Sequence, residues 1–267
     1  MTPSNSTGPV LWSIDARGVA SVVLNRPEVN NAYDGELING LLAAIDALAG
    51  ADALRAILVK GNGRHFQAGA DLKWIDAVRT ASAEENIRVS RATADAVQRL
   101  NQVPVPTVAL VHGGCFGGGT GIIAACDVVI AAEDAVFSIA EVRWGLTAAI
   151  ILPQLADAIG VRQLRRYALT GERFGAAEAR RIGLVHEVVP RAELDAAGET
   201  MLGHLLANGP DAIAQTKALA LRRSFADLDP AAFEGLVESH AAKRRSAEAA
   251  EGLASFAQKR PARWKPG

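Results

Sequence analysis

Two short runs of buried-strand character, residues 56–59 and 107–111, each pass into a glycine-rich loop and then into a helical stretch. That order constrains the fold more than any other feature of the chain. A strand that is apolar on both faces needs cover on both, and a chain that leaves it through a helix returns to a parallel neighbour by a crossover. The loops run over 61–69 and 113–121. Before them, residues 10–14 and 20–24 are β-rich and flank turn residues 15–18, which predicts an opening hairpin. Asp34 stands where a helix cap belongs, Leu37, Leu41, Ala44, Ile45 and Leu48 recur at helical spacing, and Gly50 follows as a C-cap.

Residues 84–100 read as a helix that stops before Pro104 and Pro106, 118–125 as a short helix, and 128–131 as a strand. A further helix runs from 150 to about 160, interrupted near Pro153. Beyond Val189, residues 191–207, 211–224 and 230–256 all read as helices. The expectation is an α/β chain, with an α/β core over 1–190 and a helical region over 191–267 that packs onto the core or onto a neighbouring subunit.

Composition removes several function classes. With 28 Lys+Arg against 29 Asp+Glu the net charge is -1, so there is no global basic field for nucleic acid or an anionic membrane. The most apolar stretches are broken by Asp127, Glu133, Glu141 or Pro153 well before the ~18 residues of a membrane span. The opening residues MTPSNSTGP lack the basic and apolar regions of a signal peptide, so no export is expected. Cys115 and Cys126 lie in an apolar Gly/Ala-rich stretch without metal spacing and are expected as buried free thiols, in keeping with a reducing cytoplasm.

Neither glycine loop is a nucleotide fingerprint. Gly114 and Gly119 have the Walker A separation, but Thr120-Gly121 stand where Lys-Ser/Thr is required, and Gly117-x-Gly119-x-Gly121 puts Ile122 at the last glycine of G-x-G-x-x-G. His186-Glu187 continues into Val188-Val189-Pro190, not into a zincin motif, and no G-x-S-x-G elbow occurs. His65 and His112 flank the loops without metal-ligand spacing and are expected to be structural. No metal site is expected.

What the loops belong to emerges from longer motifs. Phe66-Gln67-Ala68-Gly69-Ala70-Asp71-Leu72-Lys73, the loop from Gly113 to Gly121, and Ala140-Glu141-Val142-Arg143-Trp144-Gly145 follow one another in order. Further along come Leu169-Thr170-Gly171-Glu172-Arg173-Phe174, Gly183-Leu184-Val185 and the tail Phe256-Ala257-Gln258-Lys259-Arg260. Together they resemble the crotonase superfamily of enoyl-CoA hydratases and isomerases, over most of the chain. The resemblance implies a spiral of β-β-α repeats with a helical C-terminal trimerisation region, in a homotrimer or homohexamer. The stretch from Ala70 to Ile75, with glycine at 121, is most similar to the methylglutaconyl-CoA hydratase branch.

The resemblance also implies site roles. The backbone N–H groups of Ala70 and Gly118 would form an oxyanion hole for the thioester oxygen of an acyl-CoA, where fixed donors favour the enolate over the substrate. Glycine at 117–119 would leave room for the thioester. Glu141, in an apolar context, would be the catalytic acid/base. Asp71 is read as a helix N-cap within the loop that meets CoA. Ala68, Leu72, Lys73 and Gly117 belong to the same CoA-contacting loops, and Arg26, Phe256 and Lys259 match CoA-binding positions, although Glu28 stands where a lysine is often found. Many two-glutamate hydratases carry a second carboxylate where this chain has Gly121, while isomerases and some hydratases work with one at the position of Glu141. The expected activity is hydration of an enoyl-CoA. The alternatives are a Δ3,Δ2-enoyl-CoA isomerase and a catalytically weak acyl-CoA-binding protein. Coenzyme A would be part of the substrate, with no separate cofactor.

Overall fold

A computed structural model describes residues 4–51, 53–222 and 224–264. The chain opens with β1 (Ser4–Asn5), β2 (Val10–Ile14) and β3 (Val19–Leu24), then α1 (Gly35–Ala49) and β4 (Ala56–Gly61). The next turn of the fold holds α2 (Leu72–Thr80), α3 (Ala83–Gln102), β5 (Thr107–Val111), β6 (Gly114–Phe116) and α4 (Gly118–Ala124). β7 (Val128–Ala132), β8 (Val136–Ser138), α5 (Leu152–Thr170), β9 (Phe174–Gly175), α6 (Ala176–Ile182) and β10 (Glu187–Val189) complete the α/β part. Four helices follow: α7 (Leu194–Leu206), α8 (Pro210–Leu221), α9 (Pro230–Arg244) and α10 (Ala247–Ala257).

The large sheet runs β1-β2-β3-β4-β5-β7-β10, antiparallel at the hairpin edge and parallel from β3 to β10. A small sheet, β6-β8-β9, takes up the end of each pass, and single bridges Tyr33↔Ala70 and Gln67↔Cys115 carry its line back to earlier passes. This is the expected spiral. Alternation along β4 sorts the two cores: Ile57 and Val59 face α1 and its Leu37, Leu41 and Ile45, while Ala56 and Leu58 face the side covered by Leu194 and Leu202 of α7. Asp34 caps α1, accepting from the N–H groups of Glu36 and Leu37.

Several boundaries differ from expectation. Pro153 lies in the first turn of α5, where its missing N–H costs nothing, and the break falls instead at Gly160, with φ 68 and ψ 151, before the helix continues to Thr170. The single helix expected over 230–256 is two, parted at Arg245, because the Ser246 hydroxyl caps a new start by accepting from Ala249 N–H. The strands of the small sheet, two or three residues each, are too short to show a period.

The C-terminal helices fold back over their own chain. α9 packs on α3 and on the turn at 149–151, and α10 on the turn at 141–144 and on α2. The approach of α10 is close enough that a β-carbon on Gly252 would lie 2.2 Å from the Trp144 carbonyl oxygen. Cys115 and Cys126 are buried free thiols, and burial pushes both upward in pKa, Cys126 to about 12. Among the described residues no helix is long and apolar enough to cross a membrane.

Candidate active site

The two glycine loops are held together through one residue, whose side chain braces the first loop and whose backbone bonds the second. Gln67 is fully buried; its Oε1 accepts the Gly69 N–H at 2.8 Å, its backbone N–H donates to Gly114, and its carbonyl accepts from Phe116 N–H. His65 and His112 add to the clamp, His65 Nδ1 accepting from Gly114 N–H at 2.7 Å and His112 Nε2 meeting the Gly63 carbonyl at 3.0 Å. Both histidines are structural, as expected.

Within this frame two N–H groups are left over. Tyr33 N–H donates to Gly69 and Asp71 N–H donates to Tyr33, so Ala70 between them has no partner among the described residues. Gly117 N–H donates to Ser138 and Thr120 N–H to Gly117, which leaves Gly118 N–H in the same state. The glycines of the second loop have steric causes of their own. A β-carbon at 117 would lie 3.1 Å from Glu141 Oε1, one at 118 would lie 2.5 Å from the Tyr33 ring, and one at 119 would lie 2.6 Å from Gln67 Oε1. The space expected for the thioester is bounded by side chains of the site itself.

Glu141 opens the short turn Glu141–Trp144, and its Oε2 is buried without a hydrogen-bond partner. Burial pushes its carboxyl up to about 7, against the opposing effect of its own backbone N–H. Tyr33 is pushed up to about 12 by burial and by the neighbouring Glu141 charge, with Arg244 pulling the other way. Ala70, Gly118, Glu141 and Tyr33 all line one cavity of about 420 Å³. An apolar annex of about 30 Å³ leads off it between Leu41, Val97 and Ile151, sharing Tyr33, Gly118, Glu141 and His240 as walls.

Most of the expected contact residues reach this cavity. Ala68, Asp71, Leu72, Lys73, Gly117 and Phe256 line it, Phe256 edge-on to Trp144 with ring centres 5.1 Å apart. Asp71 caps α2, accepting from the N–H groups of Lys73 and Trp74, so its carboxylate is committed to the helix start. Arg26 lies outside the cavity lining, its guanidinium paired with Asp34 at 2.9 Å and donating to the Ala32 carbonyl, contacts that brace the 26–34 loop. Lys259 lies exposed just past α10, outside the cavity lining.

Sequence reasoning missed Tyr33, Thr147, His240 and Arg244, all on the cavity wall. Tyr33 sits one residue before a helix cap and the last two on a distant helix, so no local pattern marks them. Among the described residues, no group of three or more His, Cys, Asp or Glu side chains could hold a metal ion.

Comparison with known proteins gives a consistent result. A family model described as enoyl-CoA hydratase/isomerase matches residues 15–267. The chain is 33% identical to mevalonyl-coenzyme A hydratase of Aspergillus fumigatus, over 96% of this chain and 94% of that protein. It is 32% identical to a peroxisomal Delta(3,5)-Delta(2,4)-dienoyl-CoA isomerase of Arabidopsis thaliana, over 76% and 77%. The crystal structure of an enoyl-CoA hydratase/isomerase from Xanthobacter autotrophicus Py2 superposes with a TM-score of 0.84 at 31% identity, covering 98% of this chain and 100% of that one.

Proposed function

The chain belongs to the enoyl-CoA hydratase/isomerase family, and from that premise we propose that it adds water across the α,β double bond of an acyl-CoA thioester with Glu141 as its single acid/base. The observation that carries this reading is the buried, unpartnered Glu141 carboxyl on the wall of the same cavity as the unpaired N–H groups of Ala70 and Gly118. A carboxyl that titrates near neutrality can both take and return a proton.

In this mechanism the thioester oxygen accepts from Ala70 and Gly118. Ionised Glu141 takes a proton from water as its oxygen bonds to C3, and the double-bond electron pair moves toward the thioester oxygen as an enolate. Charge on that oxygen grows only as the C–O bond forms, so fixed donors lower the barrier; one such donor is typically worth ~2.7–4 kcal/mol. Protonated Glu141 then returns its proton to the α-carbon, and no charge is left over. The buried Thr147 hydroxyl, without a partner on the same cavity wall, is suited to hold the water.

Lys73 and Phe256 on the cavity wall, and Lys259 beyond it, are the residues assigned to CoA itself. The α/β core over 1–190 then supplies the chemistry. The helices of 191–267 close the cavity and contribute to a homotrimer or homohexamer, for which exposed Leu169, Leu219 and Phe225 provide apolar surface. Buried reduced thiols suit a cytoplasmic location.

The side chain of Ile151, which fills the space a side chain at Gly121 would need, favours a second reading, a Δ3,Δ2-enoyl-CoA isomerase in which Glu141 moves a proton between C2 and C4. Turnover in ¹⁸O-labelled water decides between them. Label at C3 of a 3-hydroxyacyl-CoA supports hydration, and conversion of a 3-enoyl to a 2-enoyl thioester without label supports isomerisation. Tight binding with neither reaction would leave an acyl-CoA-binding protein.

A further inference from the structure

The backbone bonds that join the two glycine loops stop short of the Ala70 and Gly118 N–H groups. Gln67 N–H donates to the Gly114 carbonyl and Phe116 N–H to the Gln67 carbonyl, and beyond them no hydrogen bond among the described residues joins 69–71 to 117–119. Each of the two N–H groups therefore sits on a loop end whose distance from the other is set by packing. An oxyanion hole depends on that distance, since both donors must lie ~2.7–3.1 Å from a single oxygen.

Tyr33 reaches both loop ends. Its backbone brackets Ala70: the Tyr33 N–H donates to the Gly69 carbonyl at 2.9 Å, the Tyr33 carbonyl accepts from Asp71 N–H at 2.8 Å, and Tyr33 and Ala70 form a parallel bridge. Its ring lies against Gly118. The three atoms that a β-carbon on Gly118 would meet first, Cε1 at 2.5 Å and Cδ1 and Cζ at 3.3 Å, all belong to that ring. Trp74, in the first turn of α2, meets the same ring edge-on, with centres 6.1 Å apart and planes at 74°. Asp71 caps α2, so the stretch that carries Ala70 also carries this tryptophan.

Resting on the oxyanion hole of the reading above, we propose that Tyr33 is its positioning residue, a wedge whose backbone holds Ala70 and whose ring holds Gly118 at the spacing that lets both N–H groups meet one thioester oxygen. The ring makes these contacts through carbon, so the hydroxyl is dispensable for this role. A flat ring fills the gap between Trp74 and Gly118 with one rigid shape. An aliphatic side chain would leave room for the second loop to drift, and about 1 Å of misplacement can cost on the order of 100-fold in rate.

The test reads the hole directly in the full-length protein, with butanoyl-CoA labelled with ¹³C at its thioester carbon. This saturated thioester can be neither hydrated nor isomerised. Hydrogen bonds to a carbonyl oxygen weaken its C=O bond, so isotope-edited infrared difference spectra should place the bound C=O stretch below its frequency in solution. Tyr33→Phe should keep that downshift. Tyr33→Leu should lose most of it, with Tyr33→Met in its place if the leucine variant does not fold. With an enoyl-CoA that the wild type turns over, kcat should fall at least about tenfold in the aliphatic variant while KM stays within about threefold, because the donors act mainly in the transition state. A downshift retained in the aliphatic variant overturns the proposal even where its melting temperature falls, since a ring that only supports the fold would move stability and not the C=O frequency. So does its loss in Tyr33→Phe, which would give the role to the hydroxyl. The wild type separates this from the reading it rests on. No downshift there removes the oxyanion hole and the wedge with it, whereas a wild-type downshift insensitive to residue 33 keeps the hole and removes Tyr33 alone.

Discussion

The Cγ2 of Ile151 lies 2.3 Å from the point a β-carbon on Gly121 would occupy, so the space a side chain at 121 would need is filled by an aliphatic side chain from the turn before α5. Gly121 is buried within α4, and the neighbouring Ala148 and Ile150 make the wall apolar. Restoring a glutamate by substitution alone should therefore fail. Gly121→Ala is expected to destabilise by about 1–3 kcal/mol through overpacking, and Gly121→Glu by more. Ile151→Ala should relieve part of that cost in the double variant, a non-additivity that urea unfolding of the four proteins would measure.

Glu141→Gln keeps the shape of the side chain and removes its proton chemistry. Turnover should fall by on the order of 10²–10⁴-fold. Acyl-CoA affinity should stay within about tenfold, roughly 1.4 kcal/mol. Steady-state kinetics beside a binding titration separates the two, and near-normal turnover would remove Glu141 from the mechanism.

The titration of Glu141 has two readouts of opposite sign. Hydration begins with the ionised carboxylate, so kcat/KM should rise with pH through about 7. The folded-state pKa lies above the ordinary 4.5, so the folded chain holds this proton more tightly than the unfolded one. Its contribution to stability is fully present below about 4.5 and is lost as pH rises through about 7, by about 3 kcal/mol at most. Glu141→Gln should consequently melt higher than wild type at pH 8 and nearly level with it at pH 4.5, as thermal unfolding across that range would show.

Gln67→Ala should loosen the first loop while leaving the backbone bonds between the loops in place. The Gly69 N–H would be left buried and unpaired, at about 1–3 kcal/mol. Because Ala70 N–H follows directly, kcat should fall by at least about tenfold while the enzyme stays folded at low temperature. A variant with lowered melting temperature and unchanged kcat would confine Gln67 to a role in stability.

Arg26 and Lys259 should respond differently to the same experiment. Lys259→Ala is expected to weaken CoA binding and flatten its dependence on salt, since an exposed lysine acts as a screened charge. Arg26→Ala should instead lower the melting temperature, because the guanidinium secures Asp34 and the Ala32 carbonyl, and leave the salt dependence of CoA affinity as it was. Titrations at two ionic strengths distinguish them.

Local patterns were enough for the strands and helices that repeat. The apolar runs of β4 and β5, the cap at Asp34 and the two glycine loops are each written in consecutive residues, and their order demands parallel pairing. The motif around Glu141 was legible for the same reason. Corrections fell where a local signal had two readings. Proline in a first turn and proline in a helix interior look alike until the helix start is known, and a serine inside a long helical run marks a new start only once its hydroxyl caps one. Arg26 matches a CoA-binding position, and its pairing with Asp34, eight residues on, crosses a loop whose path the sequence does not reveal.

What the tertiary structure alone decided is which distant residues share the cavity. Tyr33, Gly118, Ile151 and the pair His240 and Arg244, one turn apart on α9, come from four separate places in the chain that no local pattern links. Packing of α9 against α3 buries an arginine without a counter-charge, and packing of α5's approach against α4 removes the space for a second carboxylate. The residues proposed for the reacting centre are legible in the sequence because two backbone N–H groups and one glutamate lie in short motifs. The walls of the cavity are set by side chains that meet only after the chain has closed on itself, since burial and unpaired polarity are properties of the packed molecule.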